Sequence, residues 1–262
     1  PKAKRVVTVH DMIPERMPET RRRLDLLTLK RHYLRQADHI ICVSEATRHD
    51  LLEIYDDIRA PISVVHHGVD PAFRPGLPRV EGLPERYIVF VGNRGNYKDA
   101  NVLMRAFAQI KDDFPDHTLL FVGGGAFTRR ESETATQLRI SDRIQQVSLP
   151  DQAMPAAYGH AEICVFPSRF EGFGLPALEA MACGTPAILA DATSLPEVGG
   201  DAARYFAAGD AQNLARQLHD TLSDRPGMDH MVEAGIARAS EFTWNRAAKE
   251  TASAYRATLS LQ

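Results

Sequence analysis

Ser168-Arg169-Phe170-Glu171-Gly172-Phe173-Gly174-Leu175-Pro176-Ala177-Leu178-Glu179 follows the apolar run Ile163–Pro167 and opens a helical pattern. A strand that passes through a glycine-rich turn into a helix is half of a βαβ unit. In open sheets of such units, ligands bind beyond the carboxyl ends of the strands. The two glycines let the backbone pass close to a bound group. Pro176 suits the first turn of a helix, where a missing N–H costs nothing. The free N–H groups of that turn and the helix dipole make an anion site suited to a diphosphate. Glu171 stands before the helix and Glu179 about one turn inside it. A carboxylate aimed at a phosphate would repel it, so both are better used on sugar hydroxyls, one on a hexose and one on a ribose. The plainer reading is a surface turn with a capped helix, both glutamates facing water.

Outward from this stretch, short β-branched runs alternate with helical patterns. Candidate strands are Arg5–Val9, His39–Val43, Ile62–His66, Tyr87–Val91, His117–Val122, Ile144–Ser148, Ile163–Pro167 and Pro186–Ala190. Between them, Asn101–Lys111 carries Val102, Leu103, Ala106, Phe107 and Ile110 at helical spacing. Strands alternating with helices imply parallel sheets covered on both faces, the α/β doubly wound class. From Asp70 to Arg86 there are four prolines, two glycines and little periodicity, which reads as a linker. The expected organisation is therefore a partial unit at 1–70, a linker at 71–86, a complete unit at 87–242 and a helix at 243–262. Thr243 would cap that last helix, with Ala247, Ala248, Ala252 and Tyr255 as its apolar stripe.

Composition narrows the function classes. The chain has 262 residues, 44% hydrophobic, and a formal charge of −3, ordinary for a globular protein and without the basic excess of nucleic-acid binders. A local cluster at Arg21, Arg22, Arg23, Lys30, Arg31 and Arg35 is most simply a solvated helix face. Its other reading is peripheral contact with anionic lipid or a phosphorylated acceptor. Cys42, Cys164 and Cys183 lie in apolar stretches without paired spacing, which argues against disulfides or zinc and for a reducing, cytoplasmic setting. No apolar run reaches the length of a membrane span and no signal peptide opens the chain.

The segment from Glu171 to Glu179 resembles the signature of the group 1 retaining glycosyltransferases of the GT-B fold. Val43-Ser44-Glu45, His67-Gly68-Val69-Asp70, Val91-Gly92 with Lys98, Phe121 to Gly125, Phe166-Pro167-Ser168, Met181 to Pro186 and Pro196 to Gly200 follow the family's order and approximate spacing. The resemblance implies two Rossmann-like domains, the donor bound on the C-terminal one. It implies that Glu179 accepts from the ribose hydroxyls, that Glu171 contacts the transferred sugar, and that the backbone of Gly172, Phe173, Gly174 and Leu175 cradles hexose and phosphate. Lys98 is similar to the family's diphosphate lysine and His10 to its cleft-floor histidine, so Glu171, Lys98 and His10 form the expected catalytic set. The base is expected against backbone around Gln146 to Ser148. The family usually has arginine after the strand's glycine; here Gly92 is followed by Asn93 and then Arg94, which would take that role through a shifted loop. The stretch Val91 to Lys98 resembles mannosyltransferase-like members, pointing to a GDP-mannose donor and a saccharide or lipid-linked acceptor. No other cofactor is implied.

No Asp-x-Asp occurs in the chain, so Lys98, Arg94 and the helix N-terminus are expected to replace a metal on the diphosphate. Two glutamates could also be a retaining hydrolase pair, which needs carboxyls about 5–5.5 Å apart; the phosphate-ready loop between them would then be idle. A sugar-nucleotide epimerase on the same architecture is a further reading, and a binding module without turnover is another. The binding module has weight because the first 70 residues match only the second half of an acceptor domain, and roughly 100 more would be expected upstream or from another chain.

Overall fold

The computed structural model describes residues 3–20 and 26–260. Arg21, Arg22 and Arg23 of the basic cluster lie outside the described residues.

Two parallel sheets divide the chain. The first contains β1 (Val6–Val9), β2 (His39–Cys42) and β3 (Ile62–Val64) in that spatial order, with the helices α1 (Ile13–Arg16), α2 (Leu26–Arg35) and α3 (Glu45–Ile54) between them. The second has six strands: β4 (Arg86–Val91), β5 (His117–Val122), β6 (Ile144–Val147), β7 (Ile163–Phe166), β8 (Ala187–Ala190) and β9 (Arg204–Phe206). Its helices are α4 (Ala100–Ile110), α5 (Arg129–Gln137), α6 (Met154–Gly159), α7 (Leu175–Ala182), α8 (Leu195–Gly199), α9 (Ala211–Ser223) and α10 (Arg225–Ser240). No regular element occupies 65–85. The final helix, α11 (Trp244–Ser260), returns to the first sheet and buries Ala247 and Ala254 against Ile41 and Val65. The Thr243 hydroxyl accepts from the Arg246 N–H at 3.2 Å, capping it.

The large sheet is doubly wound because its central strands, β4, β5, β7 and β8, are apolar on both faces. In β4, Ile88 and Phe90 join one core cluster while Tyr87 and Val89 join the opposite one, all fully buried. Such a strand needs helices on each side. The spatial order β6-β5-β4-β7-β8-β9 then fixes where a ligand can bind. The chain runs outward from β4 through β5 to β6, then crosses back and runs the other way from β7. The crevice at the carboxyl ends of β4 and β7 is the point of reversal, where open α/β sheets bind ligands. Lys98 follows β4, and Glu171 follows β7.

Eight of the strands match the expected β-branched runs. The ninth, Arg204-Tyr205-Phe206, was not expected: three residues with one fully buried side chain carry no alternating pattern of their own. It forms because β8 offers it a parallel edge, Ile188 to Ala190 pairing with Arg204 to Phe206.

Candidate functional site

After β7 the chain turns sharply over Glu171–Gly174 and enters α7. Gly174 is the cap residue, with φ +110°, and offers no side-chain cap; Pro176 is in the first turn. A Cβ at Gly174 would meet Leu195 Cδ2 at 2.9 Å in a backbone conformation that L residues avoid. The helix therefore starts without a side-chain cap: Pro176 has no N–H, the Ala177 N–H bonds back to the Gly174 carbonyl at 3.1 Å, and among the described residues only the Leu175 N–H of that turn is left for another partner. Gly172 is required for a different reason: a Cβ there would lie 1.9 Å from the His10 carbonyl oxygen. That contact brings the end of β1 onto the glycine turn. The His10 ring is exposed and stacks on His67, centroids 5.5 Å apart.

Glu171 does not face open water. It is buried, and its Oε1 accepts from Lys98 Nζ at 2.6 Å. The two side chains are 10% and 16% exposed, and the Lys98 ammonium lies 4.8 Å from the Phe166 ring centroid. The plainer reading, with Glu171 facing water, therefore does not describe this loop. Lys98 and Glu171 thus form an ion pair largely screened from water beyond the carboxyl ends of β4 and β7.

Glu179 lines a separate part of the same end of the sheet. A cleft of about 830 Å³ is bounded by Glu179, Gly92, Gly123, Ser148, Asp151 and, from the connecting segment, Asp70, Phe73, Arg74 and Leu77, among others. Glu179 is half-buried and accepts from the hydroxyl of fully buried Tyr158 at 3.1 Å. Burial raises its pKa, the Tyr158 hydrogen bond opposes this, and nearby Asp151 adds to the rise. Among the described residues no second donor answers this carboxylate, so it keeps acceptor capacity.

Arg94 has a different place from the one expected. Its side chain is 3% exposed and bonded to Glu131 at 2.8 Å, with the carbonyls of Gly123, Gly125 and Ala126 each at 2.9 Å. It holds the turn after β5, where Gly123, Gly124 and Gly125 all have positive φ. Its donors are spent on that turn, while Asn93 before it is exposed and Gly92 borders the cleft. The basic cluster is also partly spent: Lys30 donates to the Asp11 carbonyl at 2.7 Å and pairs with Glu15, and Arg31 and Arg35 pair with Asp57. All three cysteines are free and buried, and burial pushes the thiols of Cys42 and Cys183 up to about 12. None is a nucleophile at neutral pH. Among the described residues no helix is long and apolar enough to cross a membrane.

Sequence reasoning missed the supports of this site. Tyr158 has no motif around it. Ser44, Thr193, Ser194 and Glu197 stood in or beside the recognised motifs without a role.

Comparisons with known proteins agree with this geometry. The model for Glycosyl transferases group 1 matches residues 77–238, and that for Glycosyltransferase Family 4 matches residues 1–73. The chain is 31% identical over 245 residues to D-inositol 3-phosphate glycosyltransferase of Corynebacterium aurimucosum, covering 86% of this chain and 58% of that protein. It is 28% identical over 269 residues to O-antigen chain mannosyltransferase B of Escherichia coli, covering 96% of this chain and 70% of that one. Sucrose-phosphate synthase from Thermosynechococcus elongatus superposes with a TM-score of 0.81 at 24% identity, over 98% of this chain and 68% of that one. The two parallel sheets thus have the GT-B arrangement, and the chain spans little more than half the length of the Corynebacterium relative. With a group 1 model matched over more than half of the chain, including the stretches that carry Lys98, Glu171 and Glu179, the chain belongs to the group 1 glycosyltransferases.

Proposed function

We propose that this chain is the donor-binding portion of a metal-independent, retaining glycosyltransferase that moves a hexose from a nucleoside diphosphate sugar to a hydroxyl of a saccharide or lipid-linked acceptor. The observation that carries the reading is the convergence at the β4/β7 reversal point. Lys98, Glu171, the uncapped N-terminus of α7 and half-buried Glu179 all stand at one end of one sheet. The ribose hydroxyls would donate to Glu179, the diphosphate would lie against the α7 N-terminus and draw Lys98 away from Glu171, and the freed Glu171 carboxylate would receive the hexose hydroxyls. As the glycosidic bond breaks, negative charge grows on the departing diphosphate, and a preorganised ammonium and helix N-terminus stabilise it where water is excluded. His10, whose carbonyl packs on Gly172, would border the transferred sugar. The charge needed at the diphosphate is thus supplied by the protein, which supports metal independence.

The donor we favour is GDP-mannose. Asp151 lines the nucleoside cleft beside Ser148 and Leu149. A carboxylate only accepts hydrogen bonds, and guanine presents N1–H and an exocyclic amino group where uracil presents one N–H. The name of the Escherichia coli relative, a mannosyltransferase, supports the sugar. A thermal-shift screen of GDP-mannose against UDP-linked sugars tests the donor, since a ligand that binds the folded state raises its melting temperature. GDP-mannose is expected to give the largest shift. A larger shift with a UDP sugar overturns the base assignment, and chelator that abolishes transfer by the full-length enzyme overturns metal independence.

A further inference from the structure

The loop expected to hold the hexose is fixed from both units of the chain at once. Its three successive carbonyls each meet a hydroxyl. The Ser194 hydroxyl lies 3.0 Å from the Glu171 oxygen and 2.8 Å from the Phe173 oxygen. Between them, the Gly172 oxygen accepts from Ser44 at 2.6 Å and from Thr47 at 3.0 Å. Ser44 and Thr47 belong to the N-terminal unit, at the start of α3, and both are buried. Ser194 belongs to the C-terminal unit and follows Thr193, which is held at φ +48°, a left-handed conformation that is costly outside glycine.

A second tie runs the opposite way. Glu197, on α8 just after Ser194, accepts from the backbone N–H of Glu45 at 2.9 Å and of Ala46 at 3.3 Å. It therefore caps α3 from the other unit, using the free N–H groups that a helix start leaves. His66, the residue that begins the crossing between units, bonds to the same carboxylate at 2.6 Å. Burial raises the pKa of Glu197, but the bonds from His66, Glu45 and Ala46 outweigh it and leave it lowered.

The geometry points to Ser44 and Glu197 as positioning residues for the transferred sugar. They act through the Gly172 carbonyl, which sets where Glu171 stands when the two units close on a donor. This inference rests on the proposed donor site. It gives a role to two sequence motifs, around Ser44 and around Glu197, that touch no part of the nucleotide cleft.

The test separates sugar from nucleotide. The wild-type chain and the variants Ser44→Ala, Ser44→Thr and Glu197→Gln are titrated calorimetrically with the selected donor, GDP-mannose or UDP-glucose, and with its own nucleoside diphosphate. The expected result is diphosphate affinity within about twofold of wild type in all variants. The extra affinity conferred by the sugar is lost in Ser44→Ala and Glu197→Gln and kept in Ser44→Thr, which retains the hydroxyl. Loss of sugar and diphosphate affinity in equal measure, or an unchanged sugar increment, overturns the inference while leaving the donor site standing. A wild-type chain that binds neither compound removes the donor site and the inference together.

Discussion

The two ends of the six-stranded sheet use their carboxylates in opposite ways. At the amino ends of the strands, Glu162 is fully engaged. Arg86 donates to it at 2.7 and 3.3 Å, and His117 bonds to it at 2.6 Å. Burial works against its ionisation, but the bonds from His117 and Arg86 win and lower its pKa to about 2. At the carboxyl ends, Glu179 has its pKa raised by burial and one tyrosine hydroxyl to answer it. Glu171 is paired with Lys98, which under the proposed function a substrate diphosphate would claim. One end has spent its charge on the fold; the other has kept charge in reserve at a cost in stability. That asymmetry locates a site where the burial of ionisable groups alone would not.

The contrast between the two ends is most open to disruption at Lys98. In the full-length enzyme, Lys98→Met is expected to slow transfer by about 10²–10³-fold, the usual effect of removing one group that stabilises developing negative charge. It also strands a buried carboxylate, a loss of about 3–5 kcal/mol. Adding Glu171→Gln should recover the melting temperature and leave transfer slow. Recovery of both would make the pair structural, like its counterpart at the other end.

Glu162→Gln is the mirror experiment and should do the reverse. Glu162 has a folded-state pKa below its ordinary value of 4.5. Its contribution is therefore present above pH 4.5 and is lost as pH falls toward 2. At neutral pH the variant is expected to be less stable by about 2 kcal/mol, near thirtyfold in the folding constant, with nucleotide affinity unchanged. Its stability should also fall less between pH 4.5 and 2 than that of wild type. Denaturant unfolding across that range measures both. The smallest effect is at Asp151, where Asp151→Asn should narrow the preference for GDP over UDP by about fivefold, one hydrogen bond's worth. An unchanged ratio would place the base elsewhere.

Much of this was legible in the chain. Eight of the nine strands announce themselves as short β-branched runs; the clearest are β4, β5, β7 and β8, because a strand buried on both faces needs little beyond apolar residues. The glycine turn before α7 is legible because φ +110° and a 1.9 Å approach leave no other residue that fits. What stayed hidden depends on distant partners. Ser44 meets Gly172 across 128 positions of sequence, and no local pattern encodes that contact. Arg94 illustrates the converse. A cation beside the expected phosphate site reads as a phosphate ligand, but the positive-φ turn at Gly123–Gly125 leaves carbonyls pointing inward and takes its guanidinium. β9 forms only because a neighbouring edge was already there.

Everything proposed for the carboxyl end of this sheet depends on its binding a nucleoside diphosphate through Glu179. Calorimetric titration of the chain with GDP, wild type against Glu179→Gln, puts that dependence to the test. One site is expected in the wild type, with affinity about 10- to 100-fold weaker in the variant, since hydrogen bonds to a charged partner are lost. The variant's melting temperature should be no lower than wild type's. Equal affinity in the two proteins, or no binding to the wild type of either GDP or UDP, would contradict it.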